Sequence, residues 1–306
     1  MQMRKVLVTG GLGFIGSHTV AELIKAGYET VIVDDLSNAE LVILDRLEQI
    51  TGQKITFYQL DISEREAAGK IFNSEKNIDV VIHFAASKAV GESVKLPLKY
   101  FRNNLYSLIN LLEAMQSSSC HNIVFSSSAT VYGQPDDLPV TEDAPFKKAL
   151  SSYGSTKQMG EEILEKASQA IDLKAIALRY FNPVGAHPTG LIGELPIGIP
   201  NNLMPFICQA TIGKINELVV YGNNYDTPDG TAIRDYIHVV DLAEAHVKAC
   251  DFLLEKKSDQ SFETFNIGTG KGNSVLEAFE TTLRYIPVVN EYNPASFCSY
   301  FTKPRL

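Results

Sequence analysis

Val6-Leu7-Val8-Thr9-Gly10-Gly11-Leu12-Gly13-Phe14-Ile15-Gly16 runs from an apolar strand-like stretch through three spaced glycines into a helix-like segment. Each glycine has a distinct task in that order. Gly10 permits a tight turn, Gly13 lets the backbone approach a pyrophosphate, and Gly16 lets helix and strand pack closely, with phosphates at the helix N-terminus. The next apolar run, Thr30 to Val33, ends at Asp34, 18 residues beyond Gly16. A carboxylate there can accept hydrogen bonds from the adenosine ribose hydroxyls and repels a 2′-phosphate, so NAD is expected rather than NADP.

Further β-branched runs follow at Ile55 to Tyr58, Val80 to His83, Ile123 to Phe125 and Ala175 to Leu178, with helical segments between them. The alternation predicts an α/β, Rossmann-type doubly wound parallel sheet. Ligands collect at the carboxyl ends of such strands. That points to Gly10 onward, Asp34, Asp61 with Ile62, Phe84 to Lys88, Ser126 to Ser128, and Tyr180 to Asn182. After residue 182 the prolines 183, 188, 196, 200 and 205 mark a change of texture. A helix near Leu203 to Ile212, a strand at Leu218 to Tyr221, a helix from Asp241 to about Leu254 and a strand at Thr264 to Ile267 then read as a smaller C-terminal substrate-binding lobe. The expected division is 1–182 for the NAD-binding domain and 183–306 for the lobe.

With 306 residues, 45% hydrophobic and 21% charged, the chain has material for a large core. A formal charge of −9 argues against nucleic acid or anionic membrane as general partners. No stretch reaches 18 consecutive apolar residues, and the first strand begins without a secretory leader, so a cytoplasmic protein is expected. Cys120, Cys208, Cys250 and Cys298 are widely separated, which suits a reducing compartment, and each reads as a buried small residue. The histidines show no metal-ligand spacing, so no metal is expected; His18 and His238 read as structural.

Tyr153 and Lys157 stand four apart on one helical face. An ammonium beside a phenol favours the phenolate, and the positive nicotinamide of bound NAD would add to that, so Tyr153 is expected to become a general base near neutral pH. Alone, such a pair is usually a solvated helix face. Ser128, at the end of a predicted strand, brings a hydroxyl as a third group toward the same edge, where it can stabilise charge on a substrate oxygen.

The segments VTGGLGFIGSH at Val8 to His18, HFAASKAVGES at His83 to Ser93, SSSATVYG at Ser126 to Gly133, YGSTK at Tyr153 to Lys157, RYFNPVGAHP at Arg179 to Pro188, GIPNNLMP at Gly198 to Pro205, DGTAIRDYIHVVDLA at Asp229 to Ala243 and NIGTGKGNSVLE at Asn266 to Glu277 together resemble the extended short-chain dehydrogenase/reductase family, in its branch acting at C4 of UDP-hexoses. The resemblance implies catalysis by Ser128, Tyr153 and Lys157. It implies cofactor contacts from Gly10, Gly13, Phe14, Ile15, Gly16, Asp34, Asp61, Ile62, Phe84, Ala85, Lys88, Asn104, Tyr153, Lys157 and Phe181. The nucleotide sugar would meet Lys88, Ser128, Tyr153, Asn182, Asn202, Leu203, Tyr221 and Arg234. UDP-glucose and UDP-galactose would be interconverted through a 4-keto sugar, with NAD as cofactor. A homodimer through helices near 96–115 and 153–167 is also implied.

Two other readings stay open at this point. A 4,6-dehydratase would share the first oxidation, but related dehydratases place Asp-Glu after the catalytic hydroxyl residue where this chain has Ala129-Thr130. A non-catalytic sensor would bind NAD and a nucleotide sugar without turnover. After Glu277 the family pattern continues to an Arg-x-Gly-Asp stretch that contacts UDP; this chain instead runs RYIPVVNEYNPASFCSYFTKPRL, and reads there as truncated, frameshifted or divergent.

Overall fold

A computed structural model describes residues 3–198, 200, 202–215, 219–220 and 222–285. In chain order the elements are β1 (Lys5–Thr9), α1 (Phe14–Lys25), β2 (Glu29–Asp34), α2 (Val42–Thr51), β3 (Thr56–Gln59), α3 (Ala67–Ser74), β4 (Ile78–His83), α4 (Val90–Lys95), α5 (Pro97–Gln116), β5 (Asn122–Ser128), α6 (Ser152–Ala170), β6 (Lys174–Tyr180), β7 (Asn182–Val184), α7 (Leu203–Thr211), β8 (Ile233–His238), α8 (Val239–Leu254), β9 (Phe262–Ile267), β10 (Gly272–Ser274) and α9 (Val275–Tyr285). A single 3-10 turn at Ala129–Tyr132 follows β5.

Seven parallel strands lie in the order β3-β2-β1-β4-β5-β6-β9. The order reverses between β1 and β4, which opens a crevice at their carboxyl ends, the usual place for a ligand in such a sheet. Alternation along each strand feeds both faces. Val6, Val8, Ile32, Ile82 and Val124 join residues of α1 and α8 in one apolar cluster. Leu7, Val31, Val33, Val81 and Ile123 join α3, α5 and α6 in the other. Burial on both faces is why these strands read as continuous apolar runs, and each fully buried Leu, Ile or Val contributes about 1.5–3 kcal/mol.

The chain divides into two compact units, one of residues up to Glu194 with Ile237–Ile267, the other of Leu195–Tyr236 with the chain from Gly268. The larger unit therefore reaches beyond the expected boundary at 182 and recovers a later segment. Its cause is the seventh strand: β9 extends the sheet by pairing Ala175 with Phe262 through Tyr180 with Ile267. The helix at 241–254 and the strand at 264–267, read from sequence as lobe elements, belong to this unit.

Within the smaller unit, Ile207, Ala210 and Phe279 form a core with Leu203, Met204, Phe206 and Ile215 against it. β10 pairs antiparallel with β8, setting Asn273 opposite Arg234. Cys208 is exposed, contrary to the sequence reading, because the inward positions of α7 are Ile207 and Ala210. Cys120 and Cys250 are buried as expected. Of the strand expected at Leu218 to Tyr221, the ends lie outside the described residues and Val219–Val220 is irregular. Cys298 and the atypical tail from residue 286 also lie outside them.

Candidate functional site

The glycine loop is built by close backbone approaches. Gly10 has φ +69° and donates its N–H to the Val33 carbonyl at 2.7 Å. A Cβ there would sit 2.8 Å from the Ala85 nitrogen, and one at Gly16 would sit 2.2 Å from the Gly10 oxygen. Only hydrogen fits at either position. Gly13 is the N-cap of α1, with no side chain capping the helix and no acidic residue in its first turn. The positive helix end is left to an anion.

Asp34, at the end of β2, is buried and accepts Leu12 N–H at 3.1 Å and Leu36 N–H at 3.0 Å. A carboxylate has about four acceptor positions, so it can hold the loop and still receive ribose hydroxyls. Burial raises its pKa against the opposing pull of those two N–H groups. These features fit a dinucleotide bound on the larger unit.

The other expected cofactor residues are placed unevenly. Phe14 and Ile15 open α1. Asp61 accepts Ser63 N–H at 2.8 Å, whereas the side chain of Ile62 is buried in the second apolar cluster, leaving its backbone as the means of contact. Phe84 packs at a tilt on His246 with ring centroids 4.7 Å apart, and Ala85 donates its N–H to Thr9 Oγ1 at 3.3 Å. Asn104 is committed to protein: its Oδ1 accepts Ser87 N–H at 2.8 Å, and its Nδ2 donates to the Ser87 carbonyl at 3.1 Å and to Thr156 Oγ1 at 2.9 Å. It ties the loop after β4 to α6. Phe181 donates its N–H to the Ile267 carbonyl at 3.3 Å.

Tyr153 and Lys157 fall in the first turns of α6, which begins where Ser151 Oγ accepts Gly154 N–H at 3.1 Å. Ser128 ends β5 opposite Tyr180 of β6, and its Oγ accepts Thr130 N–H at 3.2 Å. Its hydroxyl also stands close enough to the Tyr153 phenol to pull that group's pKa down, so the three expected catalytic residues converge. Lys157 is 3% exposed; its Nζ donates to the Ser126 carbonyl at 2.5 Å and stands 4.8 Å from the Phe125 ring centroid and 5.7 Å from that of Tyr153.

The electrostatics differ from the sequence expectation. Burial pushes the Tyr153 phenol up to about 12, a rise that the Ser128 hydrogen bond only moderates. Burial likewise pulls Lys157 down to about 7, against the opposing charge of Glu161. Desolvation penalises both charged forms at once, and it outweighs the pairing that spacing alone suggests. A phenolate here therefore calls for added positive charge beside it.

Of the expected substrate residues, Lys88 is exposed and forms an ion pair with Glu194 at 3.6 Å. Asn182 opens β7. In the smaller unit, Asn202 is the extended N-cap of α7, Leu203 packs on the small core, and Arg234 lies exposed on β8 with Nη1 donating to the Ile233 carbonyl at 2.7 Å. Of the neighbouring carboxylates, Asp229 accepts from Thr231 and Ser274, and Asp235 accepts from Thr269 and Gly270. Tyr221 lies outside the described residues. His18 is buried with Nδ1 2.7 Å from the Phe14 carbonyl oxygen, and His238 accepts Val240 N–H at the start of α8, both structural placements.

Sequence reasoning missed a buried network behind these residues. Ser127, Glu161, Arg179 and Tyr132 are hydrogen bonded in series. Glu161 was within reach of the same argument that found Lys157, since it lies four further along the same helical face; Arg179 carried no local signal.

Residues 6–268 match the NAD dependent epimerase/dehydratase family. The UDP-glucose 4-epimerase of Bacillus subtilis is 54% identical over 279 residues, covering 90% of this chain and 81% of that protein. The enzyme of the same name from Dictyostelium discoideum is 54% identical over 274 residues, 89% and 78% of the two chains. Among solved structures, the UDP-glucose 4-epimerase of Bifidobacterium longum in complex with NAD+ and UDP superposes with a TM-score of 0.87 at 47% identity, over 92% of this chain and 82% of that one.

Proposed function

Because the chain belongs to the NAD dependent epimerase/dehydratase family, we propose that it interconverts UDP-glucose and UDP-galactose by oxidation and re-reduction at C4. The observation that carries this reading is the convergence of Ser128, Tyr153 and Lys157 at the carboxyl edge of a sheet whose first helix presents an uncapped, acid-free N-terminus. Gly10, Gly13, Gly16 and Asp34 would hold NAD, which when bound accepts hydride from the sugar, returns it, and adds a positive nicotinamide beside the phenol.

Tyr153 takes the proton from the C4 hydroxyl as the sugar becomes a 4-keto compound, and gives it back as the opposite epimer forms. Ser128 hydrogen bonds the reacting oxygen and steadies its changing charge. Lys157, as ammonium, offsets the charge of the phenolate. Firm binding at the diphosphate would leave the sugar free to turn and present its other face. On the larger unit, Lys88 and Asn182 would meet the nucleotide sugar.

The residues after Ser128 are Ala129 and Thr130, so no carboxyl group stands there to eliminate water in the manner of a dehydratase. A cytoplasmic homodimer through α5 and α6 completes the reading. Exposed Leu98, Tyr106 and Ile109 on α5 and Met159 on α6 support that contact, and a single-chain mass by light scattering would remove it. No helix among the described residues is long and apolar enough to cross a membrane. Incubating the purified protein with UDP-galactose and following the products by chromatography is expected to give UDP-glucose. A 4-keto-6-deoxy sugar nucleotide, or recovery of unchanged UDP-galactose, would overturn the assignment.

A further inference from the structure

Behind Lys157 lies an ion pair that the mechanism above does not use. Glu161 follows Lys157 by one helical turn on α6 and is 2% exposed. Its carboxylate receives Arg179 Nη2 at 2.7 Å on Oε2, Arg179 Nε at 3.1 and 3.2 Å on the two oxygens, and the Ser127 hydroxyl on Oε1. Arg179 is itself anchored, donating through Nη1 to Tyr132 Oη at 2.8 Å and to the Glu142 carbonyl at 3.0 Å. Ser127 and Arg179 face each other across β5 and β6. The carboxylate is thus held by two side chains, of which Arg179 is itself anchored.

A buried ion pair of this kind is weak evidence for stability, since an apolar pair of similar volume often serves as well. Its neighbours suggest a different role. Around Lys157, α6 contributes Tyr153 and Glu161, and β5 contributes Ser126, Ser128 and the Phe125 ring. β4 contributes His83, which burial, aided by the Lys157 charge, holds neutral, its pKa lowered to about 3. β6 contributes Arg179 and Tyr180, and Tyr180 is raised by burial and likewise neutral. Glu161 is the group whose charge favours the ammonium against burial.

We propose that Glu161 is a positioning residue for the reaction: it is the buried counter-charge of Lys157, and Arg179 with Ser127 fixes where that charge sits. This rests on the proposed roles of Tyr153 and Lys157 for its effect on turnover, but not for its effect on Lys157 itself. Glu161 does not touch substrate; it acts by keeping Lys157 charged, so that Lys157 can offset the Tyr153 phenolate.

Removing the negative charge favours both the Lys157 amine and the Tyr153 phenolate. The two groups titrate as a coupled pair, so both limbs of the pH profile of kcat move to lower pH. Loss of an opposite charge at one helical turn corresponds to about one pH unit, or about tenfold less ammonium on the alkaline side. The test compares wild type, Glu161→Gln and the double variant Glu161→Gln/Arg179→Met, which removes the unpaired guanidinium and keeps the site foldable. Lys157 is titrated in protein labelled with 15N-lysine, its side-chain resonance assigned with Lys157→Met, alongside the kcat profile and melting temperature.

The expected result is a Lys157 midpoint about one unit lower in both variants, with the limbs of kcat shifted the same way. A Lys157 midpoint unchanged in the double variant, with kcat reduced by one factor at every pH, would overturn the proposal and leave the pair a structural brace. If wild type turned over no sugar nucleotide, the proposed function would fall, while the Lys157 titration would still decide the role of Glu161.

Discussion

Replacing Tyr153 with phenylalanine is expected to lower kcat for UDP-hexose epimerisation by about 10²–10⁴-fold, the range for loss of a positioned acid-base group. NAD content and melting temperature should stay near the wild-type values. The phenol stands in the first turn of α6 with the Ser128 hydroxyl beside it. The ring, half-buried on the helix, remains in place in the variant. Phenylalanine carries no acid-base group at any pH, so the loss should persist at alkaline pH. Turnover within about twofold of wild type would remove Tyr153 as the base.

The second large effect is expected at Gly16. An alanine methyl there would lie 2.2 Å from the Gly10 carbonyl oxygen and 2.9 Å from the Gly11 Cα, both backbone atoms with no rotamer to change. The loop must move away from α1 to admit it. Overpacking of this kind costs about 1–3 kcal/mol, and the displaced segment carries Gly13 at the helix N-terminus. NAD affinity is expected to fall at least about tenfold, since 1.4 kcal/mol is a factor of ten. Calorimetric titration of protein stripped of cofactor measures it directly. Unchanged affinity in Gly16→Ala would mean that the loop does not cradle the pyrophosphate.

The sheet was legible because its strands are buried on both faces. Val6 to Thr9 and Ile123 to Phe125 could not have been amphipathic surface strands, and the glycine loop between β1 and α1 needed only local chemistry to read. β5 runs on to Ser128 because Ser127 finds Glu161 and Ser128 caps the following turn, partners supplied by other elements. The assignment of β9 to the large sheet was illegible for the same kind of reason. Pairing Ala175 with Phe262 joins residues 87 apart in sequence, and nothing in FETFNI says which sheet it completes.

At the site, spacing identified which side chains meet but not what their meeting does to their charges. Tyr153 and Lys157 were paired on paper as phenol and cation. In the fold both are desolvated, so the phenol rises and the lysine falls. Burial depends on the whole sheet and cannot be read from four residues of a helix. The Lys88–Glu194 ion pair was similarly hidden, since its partners stand over a hundred residues apart and neither sits in a motif about the other.

Oxidation and re-reduction at one carbon leave an isotopic record when UDP-galactose carrying deuterium at C4 is turned over in ordinary water. The expected product is UDP-glucose that retains the deuterium at C4, because the atom removed from the sugar is the atom returned to it. UDP-glucose with hydrogen from solvent at C4 would contradict that course and place the chemistry in proton exchange instead.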